Sequence, residues 1–325
     1  MSSYLVAGAA GFIGWKVSTD LVAQGHRVVG VDNISDAYDV RLKEWRLERL
    51  AREPNFEFRR VDISDLDALR PVFEKNRFDA VVNLAARAGV RASIATPHVY
   101  FQTNVTGALN LLILARDFSI PKVVLASTSS LYGATNPVPF REDANTDGPL
   151  SPYAASKKGA EAVCHAYHHL FGMDVTILRY FTVYGPAGRP DMSPFRFVQW
   201  VSEGRPIRVW GDGNQTRDFT YVDDISAGTI AAIAVPGYEV INLGAGRSIV
   251  LMDAIRTIES LVGRTAVIEH HEGSRAEMRE TLADVGKASE LLGWKAEVPF
   301  EEGMARLVEW YRAEREWARE VDTSG

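Results

Sequence analysis

Tyr153 and Lys157, in SPYAASKKGAEA, stand four residues apart, so on a helix both side chains leave from one face. A phenol beside an ammonium is a proton-transfer device. Tyrosine is a poor base at its ordinary pKa of about 10, and a nearby positive charge stabilises the phenolate that would take a proton from a substrate hydroxyl. An isolated pair with this spacing reads first as a solvated helix face. Here it follows the row Ser127-Thr128-Ser129-Ser130-Leu131-Tyr132-Gly133, which sets hydroxyls and no acid at the end of the apolar run KVVLA.

A second constellation opens the chain. Gly8, Gly11 and Gly14, in VAGAAGFIG, lie between a strand-like run and a helical segment that ends near Gly25. Glycines at this spacing keep the turn tight and let a diphosphate approach a helix N-terminus, where free N–H groups and the helix dipole favour negative charge. Asp32 ends the next run, VVGVD, where a carboxylate can accept hydrogen bonds from an adenosine ribose. It would also repel a 2′-phosphate, so the expected cofactor is NAD rather than NADP. Asp62, in RRVDISD, is placed either to reach the adenine edge or to cap a helix. Together the two constellations describe oxidation of a secondary alcohol: the proton leaves to Tyr153, hydride leaves to nicotinamide, and Lys157 supplies charge and binds the nicotinamide ribose.

These groups need a scaffold that brings residues 8, 32, 128 and 153 to one edge. Through the first 180 residues, short β-rich runs (YLVAG, RVVGVD, EFRRVD, AVVNLA, KVVLAS, DVTILRYF) alternate with segments of helical period. That alternation predicts an α/β fold with a parallel sheet covered on both faces. After Gly185 the rhythm changes to a Gly- and Pro-rich stretch, a helix-like FRFVQWVSEG, a strand-like IRVWG, and DFTYVDDISAGTIAAI, whose period suits a helix packing back on the first domain. The last segment, 300–320, reads as one charged amphipathic helix. The expected division is 1–184 for the dinucleotide domain, with a returning segment at about 218–241, and 185–325 for a smaller, interleaved α/β substrate domain.

Composition excludes other classes. The 325 residues carry 36 basic and 42 acidic side chains, a net charge of −6, with no basic run, so neither nucleic acid nor an anionic membrane is expected as a partner. No apolar run approaches the roughly 20 residues of a membrane span. The N-terminal run lacks the basic leader of a secretory signal, and the single Cys164 suits a reducing compartment, so a cytoplasmic protein with a packed thiol is expected. The HAYHH cluster (His165, His168, His169) and the His270-His271 pair have metal-like spacing, but the chemistry needs no metal and none is expected.

The glycine pattern, Asp32, STSSLYG and YAASK together resemble the extended short-chain dehydrogenase/reductase family, in its nucleotide-sugar branch, over nearly the whole chain. The resemblance implies a Rossmann-type doubly wound sheet and a catalytic trio of Thr128, Tyr153 and Lys157. Thr128 would be hydrogen-bonded between Tyr153 and the sugar 4-hydroxyl. It implies further NAD contacts at Phe12, Ile13, Asn33, Ile63, Ala85, Ala86, Asn104 and Tyr180. It also implies a homodimer joined through helices near 99–117 and 152–171.

Within that branch, YDVRLKEWRLERL, ARAGVR and FTVYGPAGRPDM are most similar to the UDP-glucuronate 4-epimerases. Thr182 stands where the hexose enzymes usually carry asparagine, and Arg87 departs from the more usual Gln or His. The resemblance implies a redox-neutral interconversion of UDP-glucuronate and UDP-galacturonate through a 4-keto sugar. Arg217 would grip the diphosphate, with a surface ion pair to Asp218 as the alternative reading. Arg275 matches a second diphosphate arginine in a segment lacking the usual Gly-Asp, and Arg91 and Arg189 are candidates for substrate binding. Ser129, Ser130 and Thr182, with Thr128, would hold the sugar carboxylate as neutral donors. The related decarboxylases and dehydratases resemble STSEVYG and STDEVYG, which put acid chemistry at positions 129 and 130. A UDP-hexose 4-epimerase, a decarboxylase, an NAD reductase with exchanging cofactor, and a non-catalytic NAD-binding regulator are the competing readings.

Overall fold

The computed structural model describes residues 1–272 and 278–323. Six strands follow the apolar runs of the first half: β1 (Ser3–Ala7), β2 (Arg27–Asp32), β3 (Phe56–Arg60), β4 (Ala80–Asn83), β5 (Lys122–Thr128) and β6 (Asp174–Tyr180). With the strand Tyr238–Leu243 they form a parallel sheet in the order β3-β2-β1-β4-β5-β6-(Tyr238–Leu243). Both faces of the middle strands are covered, so Leu5, Val6, Ala7, Val81 and Val82 are fully buried. Each of the Leu and Val side chains contributes about 1.5–3 kcal/mol on burial. The strand Tyr238–Leu243 has no counterpart among the runs picked out in the sequence. It is an edge strand whose first three residues, one of them Glu239, are only partly buried, and this weakens its apolar signature.

On one face, helices Leu66–Glu74, Gly107–Asp117 and Pro152–Phe171 pack Leu69, Leu111, Ala160 and Cys164 against Leu5, Val29, Val81 and Val123. Burial makes Cys164 a packed thiol, with its pKa pushed up to about 12. On the other face, helix Phe12–Ala23 and helix Val222–Ala231 bring Val17, Leu21 and Ile225 to Val6, Val28 and Leu178. A further core forms where helices Ser193–Glu203, Leu251–Val262 and Phe300–Ala313 meet around Val198, Ile255 and Leu307, and Phe12 and Tyr184 belong to it.

Strand order reverses beside β1: β2 and β3 run out on one side, β4 to β6 on the other. The helices following β1 and β4 therefore leave on opposite faces and open a crevice at the carboxyl ends of the strands, the position at which such sheets bind ligands.

The segment 300–320 is not one helix. It stops at Ala313 and resumes as a short turn, Arg315–Ala318, because Glu314 takes a non-helical conformation (φ −102°, ψ 10°) and accepts the Trp317 indole N–H at 2.7 Å. Among the described residues, no helix is long and apolar enough to cross a membrane. No group of three or more His, Cys, Asp or Glu among them is placed to hold a metal. His168 instead donates to the Met173 carbonyl at 2.8 Å, and His165 and His168 pack on the Tyr238 ring.

Candidate active site

The crevice becomes a cavity whose floor is the glycine turn. Gly8 has φ +80°, and a Cβ there would lie 2.7 Å from the Ala85 amide nitrogen. A Cβ on Gly14 would lie 2.0 Å from the Gly8 carbonyl oxygen. The helix Phe12–Ala23 starts from Gly11 with no side-chain cap, so its leading N–H groups face a cavity lined by Gly8, Gly11, Phe12, Ile13 and Gly14. Side-chain absence and an uncapped, positive helix end fit a diphosphate.

Asp32, at the end of β2, accepts from the Ile34 amide at 2.8 Å and the Ala10 amide at 3.2 Å, with the Lys43 ammonium 3.7 Å away. Asn33 donates to Asp62 at 2.7 Å. Burial alone would raise the Asp62 pKa, but the Ser64 amide and hydroxyl and the Asn33 amide hold it below the usual carboxylate range. Of the two readings of Asp62, capping does not describe it: Asp65 caps the following helix, accepting from Ala68 at 2.9 Å. Ile63, Ala85, Ala86 and Tyr180 also line the cavity, the Tyr180 hydroxyl being hydrogen-bonded to Thr229.

At the other end, β5 delivers Thr128, whose hydroxyl accepts the Ser130 amide at 3.2 Å and so starts the short turn Ser129–Tyr132. Ser151 caps helix Pro152–Phe171 and Pro152 opens it, which puts Tyr153 in the first turn and Lys157 one turn on. Tyr153 shares a hydrogen bond with Thr128. Burial raises the phenol pKa, opposed by that bond and by the Arg189 guanidinium. The Lys157 ammonium donates to the Ala126 carbonyl at 2.7 Å; burial pulls its pKa down to about 8 against the Glu161 charge.

Beneath this pair lies a buried network. The Ser127 hydroxyl donates to Glu161 at 2.5 Å, and Arg179 from β6 grips both Glu161 oxygens at 3.1 and 2.8 Å. The hydroxyl row is thus divided. Ser127 lines the cavity but commits its hydroxyl to a carboxylate, while Thr128, Ser129 and Ser130 line it with Tyr153, Lys157, Thr182 and Arg189.

Three of the remaining candidates are held elsewhere. Asn104 lies off the cavity wall, in a widened π turn (Gln102–Thr106). Its side chain bonds the Arg87 amide and carbonyl and the Ser156 hydroxyl, which ties the loop after β4 to the helix bearing Tyr153. Arg91 stacks 3.9 Å over the Trp210 ring. Arg217 is on the strand Thr216–Arg217, donating to the Thr216 carbonyl at 2.8 Å and the Arg279 carbonyl at 3.3 Å, and is not part of the cavity wall. Its neighbour Asp218 is buried and accepts the Ala245, Gly246 and Ala283 amides. Arg275 lies outside the described residues.

Residues 4–244 match the sequence model of the "NAD dependent epimerase/dehydratase family". This chain belongs to that family. Among curated members, a UDP-glucuronate 4-epimerase of Thermodesulfobacterium geofontis is 52% identical over 322 residues, 99% of either chain. The crystal structure of UDP-glucuronic acid 4-epimerase from Bacillus cereus, in complex with UDP-glucuronic acid and NAD, matches with a TM-score of 0.91 at 35% identity. The match covers 96% of this chain and 99% of that one. A Thermotoga maritima UDP-glucose 4-epimerase with UDP-glucose matches at TM-score 0.89 and 30% identity, over 96% and 99% of the two chains.

In this member of the NAD dependent epimerase/dehydratase family, sequence reasoning missed three charged side chains. Lys43 lines the cavity beside Asp32; Arg46 and Glu161 are buried next to it. A signal existed for the first two. Helix Arg41–Leu50 is strongly charged, yet Leu42, Lys43, Arg46 and Leu50 share its buried face, and cations on the apolar stripe of a helix mark a packed polar site.

Proposed function

We propose that this protein is a UDP-glucuronate 4-epimerase that interconverts UDP-glucuronate and UDP-galacturonate with NAD held throughout the cycle. The observation that carries this reading is the acid-free set of hydroxyls, Thr128, Ser129, Ser130 and Thr182, on the cavity wall beside Tyr153 and Lys157. The 52% identity over the full chain to a UDP-glucuronate 4-epimerase supports it.

The glycine turn, Asp32 and Asn33 would hold NAD along the strand ends, with Lys157 at the nicotinamide ribose. NAD bound there provides a reversible hydride acceptor for the sugar C4. Tyr153 takes the 4-hydroxyl proton as a phenolate, and the Thr128 hydroxyl joins that hydroxyl to the phenol without adding charge. Lys157 and Arg189 favour the anionic form of Tyr153. The 4-keto sugar turns over in the pocket and would take the hydride back at C4 on its opposite face, while Tyr153 returns the proton to the 4-oxygen. A 4-keto uronic acid is a β-keto acid and loses carbon dioxide when its carboxylate stands perpendicular to the carbonyl plane. Ser129, Ser130 and Thr182 hold the carboxylate near that plane as neutral donors, so epimerisation wins.

We assign the segment 1–184, with its return at about 218–241, to the dinucleotide, and 185–325 to the sugar nucleotide, where Arg217 and Arg275 would meet the diphosphate, with Arg91 a further substrate contact. Ile94, Phe101, Leu170 and Phe171 are exposed apolar side chains on or beside the helices expected at a dimer contact, which supports a homodimer. A reducing cytoplasm suits the lone thiol.

The test is to add UDP-glucuronate to the purified protein without added cofactor and follow the anomeric signals by NMR. UDP-galacturonate should appear up to a fixed ratio with no net NADH. No conversion with NAD supplied, or a UDP-pentose as main product, overturns the reading.

A further inference from the structure

Arg46 is fully buried, and all five of its N–H groups are used. Nε donates to the Ala187 carbonyl at 3.1 Å; Nη1 donates to the Ala10 carbonyl at 3.0 Å and the Tyr38 hydroxyl at 2.7 Å; Nη2 donates to the Ala187 carbonyl at 2.7 Å and the Gly188 carbonyl at 3.3 Å. The acceptors are carbonyls and a phenol, none of them charged.

They belong to different parts of the site. Ala10 sits inside the glycine turn, between Gly8 and Gly11. Ala187 and Gly188 precede Arg189, whose guanidinium donates to the Ala88 carbonyl at 3.2 Å in the loop after β4. That loop returns to the glycine turn, where a Gly8 Cβ would meet Ala85. Arg46 closes this circuit. It also holds Ala187 at φ 51°, a left-handed conformation that a residue with a Cβ adopts only when its surroundings impose it. A buried guanidinium with neutral acceptors is costly to desolvate. Here the charge is hydrogen-bonded to the turn built to take a diphosphate, where an anion offsets it.

We propose that Arg46 is a positioning residue coupling the two halves of the site: it ties the loop carrying Arg189 to the glycine turn, so that dinucleotide retention and sugar-nucleotide binding both depend on one guanidinium. This rests on the assignment of the cavity to NAD and UDP-glucuronate. A lysine keeps the charge but cannot fork to Ala10 and Ala187 together.

The experiment compares wild type, Arg46→Lys and Tyr38→Phe, the last removing one acceptor while keeping the ring. Three quantities are read: NAD bound per protein after gel filtration, the KM and kcat for UDP-glucuronate at saturating NAD, and the thermal unfolding midpoint. In Arg46→Lys, bound NAD should fall at least about threefold and KM should rise about tenfold, with kcat falling by less than KM rises, the pattern of lost ground-state positioning. Tyr38→Phe should move both in the same direction by about threefold, as one lost hydrogen bond of five implies. Wild-type NAD content and KM in Arg46→Lys overturn the proposal, as does a fall in kcat alone. If Arg46→Lys does not fold, Tyr38→Phe decides, and wild-type values there overturn it. A wild-type protein that retains NAD but leaves UDP-glucuronate unchanged sinks the substrate assignment instead, and the NAD content of the variants then tests the tie by itself.

Discussion

Lys157 donates to the Ala126 carbonyl at 2.7 Å, which fixes its ammonium under the strand end that presents Thr128. Burial is the largest influence on this group and draws its pKa from 10.5 to about 8, against the opposing charge of Glu161. Below about 8 the side chain is charged, and above it neutral. In cofactor-free protein labelled with [6-13C]lysine, the signal that disappears in Lys157→Met should therefore titrate near 8. Glu161→Gln removes a negative charge one turn away, disfavours the ammonium and should move that titration to lower pH. Lys122, buried among other partners and also drawn to about 8, should not move with it. A Lys157 signal titrating near 10.5 would refute the geometry.

Tyr153→Phe keeps the ring in the first turn of its helix and removes the hydroxyl that meets Thr128. Epimerisation should fall about 10²- to 10⁴-fold, the usual contribution of a positioned proton-transfer group. Bound NAD and the unfolding midpoint should stay near wild type. Retained turnover, followed by NMR of the anomeric protons, would remove Tyr153 from the mechanism.

Ser130→Glu places a carboxyl group in the turn whose amide Thr128 accepts. The acid would repel the substrate carboxylate from its in-plane position and could protonate the carbanion left by decarboxylation. The product mixture should shift from UDP-galacturonate toward UDP-pentose and carbon dioxide, measured by NMR and by gas evolution. An unchanged product ratio would show that the hydroxyl row does not control the partition.

Gly14→Ala forces a Cβ to within 2.0 Å of the Gly8 carbonyl oxygen, with no flexible side chain there to yield. The glycine turn must open, at a cost of about 1–3 kcal/mol or more, and bound NAD should be lost from the purified protein. Gly148→Ala is the control, because its Cβ would meet nothing within 4 Å. A Gly14→Ala protein that keeps wild-type NAD content and unfolding midpoint would mean that the turn is not built for close approach.

The alternating β-rich and helical segments, the glycine turn, Asp32 and the Tyr153/Lys157 pair were legible in the chain because each is a relation between near neighbours. Strand period, a three-residue glycine spacing and an i, i+4 pair are set within one or two turns of backbone. The edge strand Tyr238–Leu243 was harder to see, since a half-solvated strand loses the apolar contrast that announces one.

Tertiary structure decided which charged groups support the site. Arg46 meets Ala187 across 141 residues and Glu161 meets Ser127 across 34, and no local pattern records such distances. It also committed the Ser127 hydroxyl to Glu161, made Asn104 a clamp between two elements and kept Arg217 off the cavity wall. A sequence by itself declares the types of group available and the elements that carry them. Where a buried charge finds its acceptors depends on how remote segments pack, because desolvation compels each such group to use whichever partners the fold brings within hydrogen-bonding reach.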